Sequence, residues 1–411
     1  MFSRIAAFFK GLWENRFNRG LMRYFDWPLI IIVIAISLFG IASIFSASSI
    51  EVTEKPATIM EMLETQPLTY ARLQLIWLLV GLVAMFVVMF FDYKVYGQFS
   101  DLFYWLNIIL LSFVLLTKAG RGGMSAFFNW GSDRGFQPSE FGKVFIIISM
   151  SRLFASRKRN ILTIRDTIPY IMFLLLPLIL IVLQPDVGTA LVYVFIFCIM
   201  IWISNTNWKL IAGVILTAVV LLVPIWYYMN NASGDNFRLT RILIWLDPES
   251  YPDEARQVIN GQIALGSGGM FGKGVVSPGS FASLGYISDD HTDFIFSVVG
   301  EAFGLVGACS LIVAYILMLI RLFYHSFKVQ DTYGSYVLLG ITSMFLFHIM
   351  ENICMVIGLL PVTGIPLPFM SYGGSNMLTN MMAIGLAENV IIRNRSRQSH
   401  RRLSTKRPMK I

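Results

Sequence analysis

The chain has 411 residues, of which 56% are hydrophobic, 14% aromatic and 14% charged, and it carries a formal net charge of +8. Mean hydropathy is +0.67. A water-soluble protein of this size cannot hide that much apolar surface, and a charged share near half the globular norm of about 25% leaves too little to clothe it. These numbers exclude a soluble multidomain enzyme, a disordered protein and a nucleic-acid binder.

A membrane-spanning helix needs about 20 mostly apolar residues. Taken in chain order, the apolar runs predict spans near 28–49, 73–91, 101–117, 141–155, 168–184, 187–205, 209–228, 294–321, 335–357 and 376–392. The expected fold is therefore an all-α integral membrane protein of ten transmembrane helices, with a large extracellular loop (229–293) between helices 7 and 8. A basic N-terminus (1–27) and a basic tail (393–411) flank the ten-helix domain (28–392). With ten spans both termini share one face. That face collects Arg4, Lys10, Arg16, Arg19 and Arg23, then Arg152, Arg157, Lys158, Arg159 and Arg165, then the tail from Arg393 to Lys410. The other collects most of the acids, among them Glu51, Glu61, Asp133, Asp235, Glu249, Asp289 and Asp293. The positive-inside rule puts both termini in the cytoplasm, and the tail reads as a topology signal with attraction to anionic lipid. Cys198, Cys309 and Cys354 all lie in apolar runs and make neither a metal spacing nor a disulfide framework.

The outer loops hold the informative residues. Glu140 and Lys143 are three apart and share a helical face at the mouth of the fourth span, as an ion pair or as part of a polar cavity; a lysine there suits a phosphate as a point charge. Asp186 follows a proline in a tight turn between two spans, where a turn-former is the plain reading. Arg238 and Arg241 precede Trp245-Leu246-Asp247-Pro248-Glu249 and suit a pyrophosphate or the neighbouring acids. The run Gly266 to Gly274, including Ser267, Gly268 and Gly269, has no P-loop spacing. It reads either as a flexible turn or as backbone able to approach an anionic ligand closely. Asp293 stands at the entry of the eighth span with apolar Phe294 to Phe296 behind it. It reads either as a helix N-cap or as a partly desolvated carboxyl, raised above its usual pKa toward general-base range. His348, Glu351 and Asn352 share one face of the ninth span and are expected to satisfy one another inside the bundle.

Several strings together resemble one family. They are Phe136-Gln137-Pro138-Ser139-Glu140-Phe141-Gly142-Lys143, Gln184-Pro185-Asp186-Val187-Gly188-Thr189-Ala190, Ala264-Leu265-Gly266-Ser267-Gly268-Gly269, His291-Thr292-Asp293-Phe294-Ile295-Phe296, Gly300-Glu301, and the stretch from Gly358 to Ser375. In this order they resemble the SEDS family (shape, elongation, division and sporulation) of bacterial cell-wall glycosyltransferases. Pro361-Val362-Thr363-Gly364-Ile365-Pro366-Leu367-Pro368 and Tyr24-Phe25-Asp26-Trp27 lean to its RodA branch. The resemblance spans residues 24–392. It departs at Ser288-Asp289-Asp290, around Arg256, Asn260 and Gly261, at Ala302 and Asn376, and at Glu351 and Glu388, which occupy usually apolar places.

What the resemblance implies is a peptidoglycan polymerase that joins lipid II units at the outer face of the bacterial cytoplasmic membrane in support of cell shape. It implies Asp293 as the catalytic aspartate, and a substrate cavity lined by Glu140, Lys143 and Asp186 with Arg241 nearby; Ser267, Gly268 and Gly269 are further substrate-contact candidates. It also implies a class B penicillin-binding protein as partner. No cofactor is required by it, and a divalent cation (Mg or Mn) held by outer-face acids is a further expectation with no ligand assigned. The rival readings are a lipid II flippase, whose essential charges would lie deep in the spans, and an inactive scaffold for cell-wall synthesis.

Overall fold

A computed structural model describes residues 21–48, 68–117, 128–129, 135–156, 164–184, 186–204, 237–277, 279–287 and 290–405. Among these the chain is helical, apart from loops, turns and one antiparallel pair of two-residue strands, Phe128–Asn129 (β1) and Gly135–Phe136 (β2). The helices are α1 (Trp27–Ala47), α2 (Thr69–Phe90), α3 (Tyr93–Gln98), α4 (Ser100–Thr117), α5 (Pro138–Ala155), α6 (Ile164–Leu183), α7 (Val187–Ile203), α8 (Phe237–Leu246), α9 (Pro252–Ser267), α10 (Ile295–Lys328), α11 (Thr332–Val356) and α12 (Gly374–Thr405). Helices stand where nine of the ten spans are expected. The seventh, 209–228, lies outside the described residues, as do most of the N-terminal arginines.

Length and apolarity suffice to cross a membrane for α1, α2, α6, α10 and α11; α4 and α7 are shorter apolar helices. The multi-pass membrane character thus holds. Two expected spans, α5 and α12, miss that standard because they carry polar groups, and burial explains them. In α5 nearly every residue from Pro138 to Met150 is buried, including Glu140 and Lys143. A helix buried on all sides is the centre of a bundle, and α4, α7 and α11 pack around this one. It starts earlier than expected, since Pro138 is preorganised for a first helical turn.

The other main packing partners are α12 with α2, α10 with α1 and α11, and α9 with α10. The apolar faces turned away from these contacts stay bare: Val83 and Val87 on α2, Ile109 on α4, and Ile316 and Ile320 on α10 are among the exposed residues. In a lipid solvent such faces need no cover.

The expected large outer loop is not irregular where it is described. It folds into α8 and α9, both amphipathic, followed by the glycine-rich turn 268–274. The basic tail expected from residue 393 is no separate segment either: α12 continues to Thr405 without a break.

Candidate active site

The site is assembled on the irregular segment 357–373, which joins α11 to α12. Three of the sequence strings wrap around it. Asp186 sits at the N-cap of α7 and accepts from the Thr189 amide at 3.0 Å. Its other oxygen accepts from Gln137 Nε2 at 3.2 Å and from Ser139 Oγ at 3.3 Å. One carboxylate therefore ties the entry of α7 to the entry of α5, which is more than a turn-former does. Two residues on, Gly188 allows close approach: a Cβ there would lie 3.2 Å from the Thr363 carbonyl.

Glu140 and Lys143 form a buried ion pair at 2.7 Å, and Lys143 Nζ also meets His348 Nε2 of α11 at 3.1 Å. The His348 Nδ1 faces the Pro366 carbonyl at 3.3 Å. The second Glu140 oxygen is buried without a hydrogen-bond partner. A charge pair removed from water needs such extra partners to offset its desolvation.

Contrary to the expectation from sequence, the trio on α11 does not satisfy itself. His348 turns to Lys143, Glu351 accepts from the Thr363 hydroxyl, and Asn352 Nδ2 donates to the carbonyls of Asp293 (2.9 Å) and Ile365 (2.8 Å). The cause is the backbone of 357–373: an irregular segment enclosed by apolar spans offers carbonyls that need donors, and α11 supplies them.

Asp293 is half-buried one residue ahead of the α10 cap. That cap is Phe294, with no side-chain cap bond, so the carboxyl does not serve as the N-cap, the alternative left open by the sequence. Gly364 has φ +76, and a Cβ on it would come within 3.4 Å of Asp293 Oδ2. The strand of turns before Asp293 is pinned as well: Tyr372 N–H donates to the His291 carbonyl at 2.8 Å and Ser371 Oγ to the Thr292 carbonyl at 2.7 Å. His291 stacks on Tyr70 of α2 with ring centroids 4.7 Å apart and pairs with Asp290 at 3.0 Å. Gln74 of α2 bridges the Ser371 carbonyl and the Gly373 amide. Sequence reading passed over Gln74, though a polar residue inside an apolar span was the available signal.

Arg241 comes to the same segment from the outer side. Its Nη1 donates to the Val362 carbonyl at 3.2 Å, and Trp245, one turn later on α8, donates to the Gly358 carbonyl at 3.0 Å. Asp293, Arg241 and, through the start of α7 that it caps, Asp186 thus border one short stretch of chain, and the Glu140–Lys143 pair is tied to it through His348. The side chain of Arg238 lies outside the described residues.

Ser267, Gly268 and Gly269 go elsewhere. Gly304 breaks α10 with φ +67 and ψ −167, and the glycine turn fills the break. The amides of Lys273 and Gly274 donate to the carbonyls of Glu301 and Ala302, while the carbonyls of Gly269 and Met270 accept from the amides of Leu305 and Val306. The amides of Gly269 and Gly272 close turns of their own. This backbone is spent on a helix rather than held open as an anion cradle. Glu301 completes the joint, accepting from Lys273 Nζ at 2.7 Å and from the Phe281 amide at 2.8 Å.

Among the described residues no three His, Cys, Asp or Glu side chains converge in a way that would hold a metal ion. The described donor set therefore offers no site for a divalent cation.

Comparison with known proteins agrees with this architecture. A family model described as cell cycle protein FtsW/RodA/SpoVE matches residues 26–396. The chain is 32% identical over 370 residues to the probable peptidoglycan glycosyltransferase FtsW of Trichlorobacter lovleyi, covering 89% of this chain and 93% of that one. It is 33% identical over 328 residues to the peptidoglycan glycosyltransferase MrdB of Escherichia coli strain K12, covering 79% and 85%. Among solved structures it is similar to a chain of a peptidoglycan synthase complex that coordinates polymerization and crosslinking, with a TM-score of 0.70 and 26% identity over 90% of this chain and 98% of that one. The rod shape determining protein RodA of Thermus thermophilus shares the fold, with a TM-score of 0.64 at 24% identity over 90% of this chain and 97% of that one. The family match begins at the buried Asp26 and ends among the arginines of α12, so it takes in both ends of the bundle and every contact around the 357–373 segment: the chain belongs to the FtsW/RodA/SpoVE family.

Proposed function

We propose that this protein is a peptidoglycan glycosyltransferase that polymerises lipid II into β-1,4 glycan strands at the outer face of the bacterial cytoplasmic membrane, with Asp293 as the general base. The observation that carries the reading is the position of Asp293, half-buried just before the start of α10 and bordering the same segment that Arg241 contacts, that α7 approaches beside Asp186, and to which His348 ties the Glu140–Lys143 pair. Family membership supplies the reaction class.

The chemistry asks little more of the protein. Conversion of an α-linked pyrophosphate to a β-linked glycan inverts the anomeric carbon, so a single displacement needs one base and no covalent carboxylate. Asp293 takes the proton from the acceptor sugar's 4-hydroxyl as that oxygen attacks. The departing polyprenyl pyrophosphate is a good leaving group and needs positive charge more than a general acid. Arg241, half-buried on the outer side, is suited to it. Lys143 is engaged with Glu140 and His348 at the floor of the site and keeps that floor from being net negative. A substrate tethered by a polyprenyl chain never leaves the bilayer, which is why a bundle of spans hosts the reaction.

The arginine-rich end of the bundle, opposite the site, corresponds to the cytoplasm by the positive-inside rule, with both termini on that side. The partner in this reading is a class B penicillin-binding protein that cross-links the product, and the Pro-Val-Thr-Gly-Ile-Pro-Leu-Pro form is what supports a role in shape and elongation. The test is polymerisation of lipid II by the purified chain, with and without that partner. Asp293→Asn is expected to lose about a hundredfold or more of the glycan ladder. Ladders of equal yield from the two proteins would remove Asp293 from the base role.

A further inference from the structure

A second carboxyl stands beside the base. Glu351 is buried in α11, and one of its oxygens accepts from the Thr363 hydroxyl while the other has no hydrogen-bond partner. Thr363 is joined to Gly364, the residue whose missing Cβ leaves room for Asp293 Oδ2. The next residue on α11, Asn352, holds the Asp293 carbonyl. Glu351 and Asp293 therefore both border the Thr363–Gly364 peptide, the one through the threonine hydroxyl and the other at the glycine. A buried carboxyl with an unsatisfied oxygen costs stability that an apolar side chain would not, and nothing in the packing of α11 asks for an acid at this position.

We infer that Glu351 is a positioning residue for Asp293, fixing the Thr363–Gly364 turn through the threonine hydroxyl and setting the proton affinity of the base through its own charge. The inference rests on the reading of Asp293 as the base. Two like charges sharing a small site do not titrate independently, so the occupancy of one carboxyl by a proton decides that of the other. Among the described residues the other charged or titratable groups nearby are Arg241 of α8 on the Val362 carbonyl, Asp186 at the cap of α7 beside Gly188, the Asp290–His291 pair just ahead of Asp293, and His348 one turn before Glu351 with Lys143 and Glu140 behind it. Among the described residues the hydrogen bond of Glu351 goes to Thr363 alone. A negative charge next to Asp293 favours the protonated form of that carboxyl and so moves the base toward the range where it works.

The test compares lipid II polymerisation as a function of pH in the full chain and in Glu351→Gln, which keeps an oxygen for Thr363 and removes the charge. The acidic limb of the profile is expected to move down by about one pH unit, while Glu351→Leu loses rate at every pH because it also releases the turn. Glu351→Asp is expected to restore the limb in part. Superimposable profiles for the chain and Glu351→Gln overturn the inference while leaving the base assignment intact. A readout without turnover separates the two. Dicyclohexylcarbodiimide labels carboxyls in their protonated form, and mass spectrometry of the α11 peptide follows Glu351. Its labelling midpoint is expected to fall in Asp293→Asn, and an unchanged midpoint overturns the coupling even if the chain makes no glycan.

Discussion

Lys143 has almost no access to water, yet among the described residues its amine meets only Glu140 and His348. Removing one member of a buried pair strands the other, at a cost of about 3–5 kcal/mol. Lys143→Met is therefore expected to lower unfolding stability by that order in detergent or nanodiscs, and Lys143→Met with Glu140→Gln to recover a good part of the loss. Denaturant unfolding of the singles and the double checks the cycle; additive losses would mean that the two charges act separately. The sequence made this pair legible through its three-residue spacing, and it also singled out Asp186 and Asp293. It did not make legible what each one touches. His348, Glu351 and Asn352 look self-sufficient when read along α11, but their partners are carbonyls and a hydroxyl of a segment up to 18 residues away, together with Lys143 and Asp293 on other elements. Helical periodicity reports which residues share a face and says nothing of what an irregular segment will present to it.

At the scale of elements, the break in α10 is the clearest case of backbone accounting. A helix interrupted inside a membrane leaves donors and acceptors that lipid cannot satisfy. The glycine turn 268–274 returns two amides and two carbonyls to those groups, and it reaches them because glycines stand at its closest approaches, Gly268 and Gly272. A Cβ on Gly272 would sit 2.2 Å from the Ala302 carbonyl oxygen, at a φ of +81 that L residues resist, whereas at Gly266 it would meet nothing within 4 Å. Gly272→Ala is expected to cost more than about 2 kcal/mol and Gly266→Ala, at the end of α9, to be neutral or stabilising by up to about 1 kcal/mol. Thermal unfolding of both variants, with circular dichroism to follow helix content, decides it; equal effects would show that the close approach is not what selects glycine. The sequence signalled a glycine-rich outer loop, and its ambiguity between turn and anion cradle was real. The deciding fact is the helix break 30 residues later at Gly304, which an apolar run conceals because hydropathy is blind to φ.

For the whole molecule, the arginine-rich end of the bundle matters as much as the end that holds the site. Asp26, buried at the start of α1, receives two hydrogen bonds from Arg321 (2.6 and 2.5 Å), faces His325 Nε2 at 3.0 Å, and meets Arg395 of α12 at 3.2 Å. Arg393 and Arg397 reach Asp92 at 3.4 and 3.5 Å. Read from sequence the arginines of the tail are topology signals; in the structure Arg395, with Arg321, is also part of the clasp that holds α1, α10 and α12 together, far along α10 from Asp293. Burial pushes the Asp26 carboxyl up. The hydrogen bonds from His325 and Arg321 and the charges of His325 and Arg395 outweigh it and hold the group well below the usual carboxylate range. A carboxyl depressed in the folded state contributes stability that is present above its unfolded pKa and fades as pH falls toward the folded one. The stability of the chain is therefore expected to drop as pH is lowered below about 4. Asp26→Asn is expected to cost about 3 kcal/mol at neutral pH, since it leaves two arginines facing each other without their counter-ion. Because the group that titrates is gone, the gap between the two proteins narrows on acidification. Unfolding midpoints of both, measured from pH 7 down to pH 3, test the clasp directly: parallel curves would mean that Asp26 does not hold the arginine-rich end by charge.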